Sequence, residues 1–232
     1  MREAIVLAGG FGTRLRSVVS DLPKPMAPVN GRPFLSYILD HLAGQGFRHV
    51  VLSTGHLHEK VSERFGEAYG ALRLSYAVEA TPLGTGGGIL NALRQCDGDE
   101  VAVLNGDTLF PIDFARAERT FHDQGADLLV ALRHVEDASR YGSVALQPNG
   151  RIAAFVEKDA AQGAGLVNGG IYLLRRSLLG ACGFGDLRKF SFEKDLMEPF
   201  AARMPFFGMV SDAYFIDIGI PEDYRRAQAE LA

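Results

Sequence analysis

The stretch that most constrains this chain lies near its start. Ala4-Ile5-Val6-Leu7 is a short apolar run, and Ala8-Gly9-Gly10-Phe11-Gly12-Thr13-Arg14 follows at once. An apolar run that ends in a Gly-rich turn predicts a buried strand and then a loop. Glycines at 9, 10 and 12 remove side chains, so backbone N–H groups can close on an anion. Arg14 adds a fixed positive charge at the exit of the turn. Lys24 stands between Pro23 and Pro25, which predicts a stiff, extended backbone there. Backbone donors and two cations around one strand end predict phosphate, and more than one.

Two familiar phosphate loops are excluded by residue type. A Walker loop ends in Gly-Lys-Ser/Thr, whereas this one reads Gly12-Thr13-Arg14. A dinucleotide fingerprint needs a third glycine three residues after the second, and Leu15 holds that place.

Downstream, Phe34, Ile38 and Leu42 recur every four residues, with Leu35 and Leu39 beside them, which predicts an amphipathic helix stopped by Gly44 and Gly46. His49 to Ser53 reads as a strand. Leu57, Val61 and Phe65 mark a helix, Leu72 to Val78 a strand, Gly86 to Gln95 a helix and Val101 to Asn105 a strand. This alternation predicts a mostly parallel sheet. The second half changes character. Strand-like runs at 127–135, 144–146, 152–156 and 167–174 follow with few helices between them. A helix interrupted near Pro199, late strands within 209–218 and a last helix opening at Pro221 complete the reading. No linker separates independent units, so residues 1–232 are read as a single domain, with a nucleotide-binding half (1–110) and a sugar-phosphate-binding half (111–232).

Composition narrows the function. A net charge of −4 argues against a generic nucleic-acid binder. Cys96 and Cys182 have no metal spacing and suggest a reducing compartment, hence the cytoplasm. The first apolar run is too short for a signal peptide or a membrane span. The six histidines show no triad or metal spacing.

Two carboxylates are candidates for hard-metal chemistry. Asn105-Gly106-Asp107 ends a predicted strand, and ligands gather at the carboxyl ends of strands in open parallel sheets. Asp107 there suits Mg²⁺, although a turn Asp can also cap a helix. Asp217, in Phe215-Ile216-Asp217-Ile218, is an acid in an apolar run, which is costly unless paired or metal-bound. The two are therefore coupled as a Mg²⁺ pair.

The sequence L-A-G-G-F-G-T-R-L with the later Pro23-Lys24-Pro25 resembles the signature of the sugar-nucleotidyltransferase family. Pro82-Leu83-Gly84-Thr85-Gly86-Gly87, Leu104-Asn105-Gly106-Asp107 and Val167-Asn168-Gly169-Gly170-Ile171-Tyr172 follow in the family's order, so the resemblance spans nearly the whole chain. It implies an α/β, Rossmann-like, mostly parallel mixed sheet with helices on both faces and a β-rich sugar-binding lid. It implies an enzyme that joins a nucleoside triphosphate to a sugar 1-phosphate and releases pyrophosphate. It implies Arg14, Lys24 and Asp107 as catalytic residues, and Leu7, Ala8, Gly9, Gly10, Gly12, Thr13, Glu79, Pro82, Gly84 and Thr85 as nucleotide contacts. Gly142, Glu157, Lys158 and Asn168 resemble the sugar-phosphate contacts, and Asp107 and Asp217 the metal ligands.

Where Glu79 stands, relatives that use uridine or thymidine triphosphates usually carry Gln. A carboxylate only accepts hydrogen bonds, and guanine offers two adjacent N–H donors on one edge, so Glu79 favours guanine. Gly84 would let the backbone approach the base. Within the family, Ser17-Val18-Val19-Ser20-Asp21, Arg140-Tyr141-Gly142 and Phe190-Ser191-Phe192-Glu193 resemble the bacterial D-glycero-α-D-manno-heptose 1-phosphate guanylyltransferases of surface-polysaccharide assembly. The expected partners are GTP and a sugar 1-phosphate, with neither nucleic acid nor membrane, and a homodimer is open. The alternatives are a uridylyltransferase on a substrate such as N-acetylmuramate 1-phosphate, a mannose-1-phosphate guanylyltransferase, and a non-catalytic sugar-nucleotide sensor.

Overall fold

The computed structural model describes residues 1–10, 21–156 and 163–231. Ten strands among them form one sheet. The N-terminal half supplies β1 (Glu3–Leu7), β2 (His49–Thr54), β3 (Ala68–Tyr69), β4 (Leu72–Val78) and β5 (Glu100–Asn105). The C-terminal half supplies β6 (Leu128–Val135), β7 (Ser143–Leu146), β8 (Ile152–Val156), β9 (Gly165–Arg175) and β10 (Phe206–Val210). The order is β8-β7-β9-β5-β1-β2-β4-β3, with β6 pairing on β9 and β10 on β6.

The N-terminal strands are short apolar runs joined by helices, which is what parallel pairing requires. β1 is parallel to both β2 and β5, and β2 to β4. The crossovers carry α1 (Phe34–Gly44), α2 (His58–Phe65) and α3 (Gly84–Leu93). All six residues of β2 are buried, as expected of a strand covered on both faces. Alternate residues divide between two cores. Ala4, Val6, Val50 and Leu52 pack with Leu35, Ile38 and Val61 of α1 and α2. Ile5, Val51, Val101 and Val103 pack with Ile89 and Leu93 of α3 and with Phe192 and Leu196. Helices therefore cover both faces.

The C-terminal half continues the same sheet with mixed polarity, β10 running parallel to β6. β9 runs antiparallel to β5 and to β6, and β7 and β8 pair antiparallel. The register of β9 against β6 shifts between Asn168 and Tyr172. Gly170 sits in that bulge at φ +72°, a conformation that glycine tolerates without strain.

A helix absent from the sequence reading, α4 (Phe114–Asp123), precedes β6. Asp113 caps it by accepting from the Arg116 N–H at 3.0 Å, and Phe114, Ala117 and Phe121 form its buried stripe. The expected interrupted helix winds as a π-helix over Phe192–Met197, then continues over Glu198–Phe200 with Pro199 at its start. The last helix, α5 (Pro221–Glu230), opens on Pro221 as anticipated. Among the described residues no helix is long and apolar enough to cross a membrane.

Candidate active site

Because β1, β2, β4 and β5 are parallel, their carboxyl ends fall on one edge of the sheet. A cleft of about 350 Å³ opens there, lined by Leu7, Gly9 and Gly10 after β1, Glu79 after β4, and Asn105 and Asp107 after β5. Lys24, Pro25, Ser53, Pro82, Gly84 and Thr85 complete its described wall. Ala8 differs from its neighbours: its side chain is buried and its N–H donates to the Ser53 carbonyl at 2.7 Å, so it does not line the cleft. Gly12, Thr13, Arg14, Glu157 and Lys158 lie outside the described residues.

Glu79 is held by the protein on both oxygens. Ser53 Oγ donates to Oε1 at 3.1 Å, and the Leu83 N–H donates to Oε2 at 2.8 Å. Each carboxylate oxygen has two lone pairs, so acceptor capacity remains toward the cleft. Glycine makes this placement possible. A Cβ on Gly88 would lie 2.8 Å from Glu79 Oε1, and one on Gly9 would lie 3.3 Å from the same atom. The neighbouring glycines answer to a different neighbour. Gly84 has φ +72°, and a Cβ there would lie 2.5 Å from the Phe190 carbonyl oxygen. A Cβ on Gly86 would lie 2.1 Å from the Phe190 ring. Phe190 already occupies the space a side chain at 84 would need, and Gly84 also lines the cleft.

Lys24 was expected on extended backbone, and the structure corrects this. It opens a short 3₁₀ turn, Lys24–Met26, in which the Ala27 N–H donates to the Lys24 carbonyl at 3.0 Å. Pro25 fits because its ring fixes a φ suited to a turn and its position needs no N–H. The turn aims Nζ at two carboxylates. It contacts Asp107 Oδ2 directly and lies 3.8 Å from Asp217 Oδ1, with the Lys24 side chain 15% exposed. A two-residue antiparallel ladder joins Thr108–Leu109 to Ile216–Asp217 and brings together acids 110 positions apart in sequence. The Ile218 N–H donates to the Asp107 carbonyl at 2.9 Å, and the Gly219 N–H to Asp217 Oδ1 at 2.7 Å.

A second pocket of about 230 Å³ adjoins the cleft and shares Thr85 and Asn105 with it. Asp217, Gly142 and Asn168 line it, as do Tyr141, Tyr172 and Glu193. Gly142 is close-packed, since a Cβ would lie 2.8 Å from Phe155 Cζ. Arg140 pairs with buried Asp223 at 2.5 Å and so ties this loop to α5. Burial, and next the Asp217 carboxylate, raise the Tyr141 pKa above its ordinary value, so its hydroxyl stays a neutral donor. Thr85 serves the protein more than the cleft. Its Oγ1 donates to Glu193 Oε2 at 2.6 Å and accepts from the Phe192 N–H at 2.9 Å.

Sequence reasoning gave no role to Asn105, Tyr172 or Glu193. Asn105 was within reach, since it precedes Gly106-Asp107 at a strand end. Tyr172 and Glu193 stand in motifs that carry the family resemblance, but by residue type alone one reads as a core aromatic and the other as a charged helix residue.

Comparison with known proteins fits this geometry. Residues 3–232 match the Nucleotidyl transferase family. The chain is 45% identical over 229 residues to the D-glycero-alpha-D-manno-heptose 1-phosphate guanylyltransferase of Aneurinibacillus thermoaerophilus, covering 99% of this chain and 98% of that one. It is 40% identical to the protein of the same name from Campylobacter jejuni subsp. jejuni serotype O:2, covering 96% of each. The crystal structure of HddC from Yersinia pseudotuberculosis complexed with GMP-PN matches with a TM-score of 0.85 at 35% identity, covering 100% of both chains. A family match from residue 3 to residue 232 takes in the parallel half, the mixed half and the junction between them, and the chain belongs to the nucleotidyl transferase family.

Proposed function

We propose that the chain transfers GMP from GTP to D-glycero-α-D-manno-heptose 1-phosphate, giving GDP-heptose and pyrophosphate. One observation carries the reading: Lys24 bridges Asp107 and Asp217 where a cleft at the parallel strand ends meets a second polar pocket. Two adjoining compartments with charge at their junction suit the joining of two phosphorylated substrates. The choice of GTP and heptose rests on the relatives at 45% and 40% identity that carry that name, on HddC with its guanine nucleotide, and on Glu79 at the cleft.

An oxygen of the sugar 1-phosphate attacks the α-phosphorus of GTP, and pyrophosphate leaves. The attacking oxygen is already anionic near neutral pH, so no strong general base is required. Two anions must be held together and the leaving charge neutralised, which is positioning and electrostatics. The backbone beyond β1 and Arg14 take the pyrophosphate. Lys24 and Lys158 counter the α- and sugar phosphates. Gly142, Glu157 and Asn168 hold the sugar.

Asp107 and Asp217 fit a divalent metal. Both are acceptor-only oxygen donors, and they lie close enough to share one ammonium. Among the described residues no group of three or more His, Cys, Asp or Glu side chains forms a protein cage. That suits Mg²⁺, which keeps waters and substrate oxygens as its other ligands. Such an ion would supply positive charge to the phosphate oxygens.

The test is incubation with GTP, ATP, UTP or dTTP, Mg²⁺ and a panel of sugar 1-phosphates, followed by pyrophosphate detection. GTP with the heptose phosphate is expected to give the highest rate. Preference for UTP overturns the guanylyl reading, and preference for mannose 1-phosphate overturns the sugar. Absence of product with every pair leaves the sensor reading in its place.

A further inference from the structure

Glu193 stands apart from the residues the mechanism uses. It lies in the π-helical segment Phe192–Met197, lines the second pocket and is partly buried. Its Oε2 is taken twice, by Thr85 Oγ1 at 2.6 Å and Ser191 Oγ at 3.1 Å. Among the described residues its Oε1 receives the Tyr172 hydroxyl alone, at a longer 3.2 Å. Tyr172 in turn accepts from Asn168 Nδ2 at 2.7 Å, and Asn168 Oδ1 accepts from the Gly170 N–H at 2.9 Å. This relay fixes the polarity of the pocket wall. The Asn168 amide is oriented by the two bonds at its ends and keeps one N–H to give. Glu193 Oε1 keeps an acceptor site to fill. A carboxylate can only accept, so whatever meets it must donate.

We propose that Glu193 is a specificity-determining residue, whose Oε1 accepts a hydrogen bond from a ring or side-chain hydroxyl of the sugar 1-phosphate. The inference rests on the reading of the second pocket as the sugar site. The neutral, hydroxyl-rich ring of a sugar 1-phosphate matches a wall that offers a carboxylate acceptor beside an amide donor. Thr85 and Ser191 lock the carboxylate, so little freedom is lost when the sugar binds. The same link explains why Thr85, at the first turn of α3, has its hydroxyl committed to the protein. It braces the sugar-side carboxylate against the wall of the nucleotide cleft.

The test separates reading a hydroxyl from supporting the fold. Glu193→Gln keeps shape, and Glu193→Asp keeps charge but withdraws it by one methylene. Binding of the sugar 1-phosphate and of its monodeoxy analogues is measured by calorimetry with a non-hydrolysable GTP analogue present. The parent sugar phosphate is expected to bind Glu193→Gln roughly tenfold more weakly, within the range for one hydrogen bond to a charged group. Binding of the GTP analogue should change less than twofold. One deoxy analogue should lose affinity in the wild type and lose almost nothing further in the variants, the non-additivity that marks a direct contact. If every deoxy analogue is penalised equally in wild type and in both variants, Glu193 reads no hydroxyl and the proposal falls. A wild type that binds the sugar phosphate yet makes no product sinks the catalytic reading and leaves this one to be judged on the cycle. A wild type that binds no sugar phosphate sinks both.

Discussion

The two halves of the molecule meet one ligand edge but build their walls in different ways. On the side proposed for the nucleotide the wall comes from the carboxyl ends of the parallel strands and the residues just beyond them: Leu7, Gly9 and Gly10 at β1, Ser53 at β2, Glu79 at β4, Asn105 and Asp107 at β5. Parallel pairing places those ends together automatically. On the side proposed for the sugar most pairs are antiparallel, although β10 runs parallel to β6, so strand ends are divided between two edges. The pocket there draws on Gly142, the bulge of β9, Glu193 of the π-helical segment and Asp217 of the short ladder, each from a different kind of element. Parallel topology makes a site by repetition, and antiparallel topology makes one by individual contacts. Substitutions on the nucleotide side should therefore change one parameter at a time, whereas those at the junction should affect both substrates.

The largest effect is expected at that junction. Asp107→Ala removes the carboxylate that Lys24 contacts and that would hold the metal. Turnover should fall by more than about 10³, beyond the loss typical of one preorganised donor, while far-UV circular dichroism stays unchanged. Excess EDTA should stop the wild type to the same degree. Full activity in either experiment removes the metal role and makes the two aspartates a scaffold for Lys24. Next comes Arg14→Ala, expected to lower kcat by roughly 10²–10³. A loss under threefold would make Arg14 a surface residue and leave the pyrophosphate to backbone alone.

The contrast between the halves also sets what was legible in the sequence. The strand at 4–7, the helix of 34–44 and the proximity of Asp107 to Asp217 were readable, because each follows from a local pattern or a rule about burial. The ladder of Thr108–Leu109 with Ile216–Asp217 gives that coupling its structural form. The helix at 114–123 was readable but overlooked: Asp113 is a favoured cap, and Phe114, Ala117 and Phe121 are spaced for one face. Charged residues outnumber that thin stripe, which hides it. Glu193 and Tyr172 could not be read. Their role depends on a π-wound segment meeting a β-bulge, and both departures come from tertiary packing. The packing of Phe190 where side chains at 84 and 86 would stand could not be read either, because it joins segments about a hundred positions apart.

A smaller effect tests the nucleotide side alone. Glu79→Gln replaces one acceptor oxygen with an NH₂ donor. Ser53 and the Leu83 N–H already donate to the carboxylate, so the amide must turn its NH₂ toward one of them or toward the cleft. The lead in kcat/KM of GTP over UTP and dTTP should narrow by about 10²-fold, or about 2.7 kcal/mol. KM for the sugar 1-phosphate should not move. An unchanged ratio in the variant shifts base recognition to the backbone of the 79–84 segment. A raised sugar KM would break the separation between the halves.

The smallest expected effect lies at the other end of the same strands, where the parallel half is held in register. Glu3 opens β1 and is 13% exposed. Its Oε1 meets His49 Nδ1 at 2.7 Å, and its Oε2 accepts the Gly98 N–H at 2.6 Å and the Asp97 N–H at 2.9 Å, ahead of β5. Burial alone would raise its pKa, but the bonds from His49, Gly98 and Asp97 together outweigh it, so the carboxyl lies below its ordinary 4.5. A depressed folded pKa contributes stability that is present above the unfolded value and is lost as pH falls through the folded one. Glu3→Gln should cost on the order of 1 kcal/mol near pH 7, which is about 2–4 °C in Tm for a chain of this size. The gap between variant and wild type should close as pH falls below the ordinary carboxylate range. The kcat/KM should stay within twofold, because Glu3 sits at the opposite end of the strands from the cleft. Calorimetric scans of both proteins from pH 7 to pH 3 decide it. A gap that is the same at every pH would mean that the ionisation of Glu3 does not contribute, and that the change acts through packing alone.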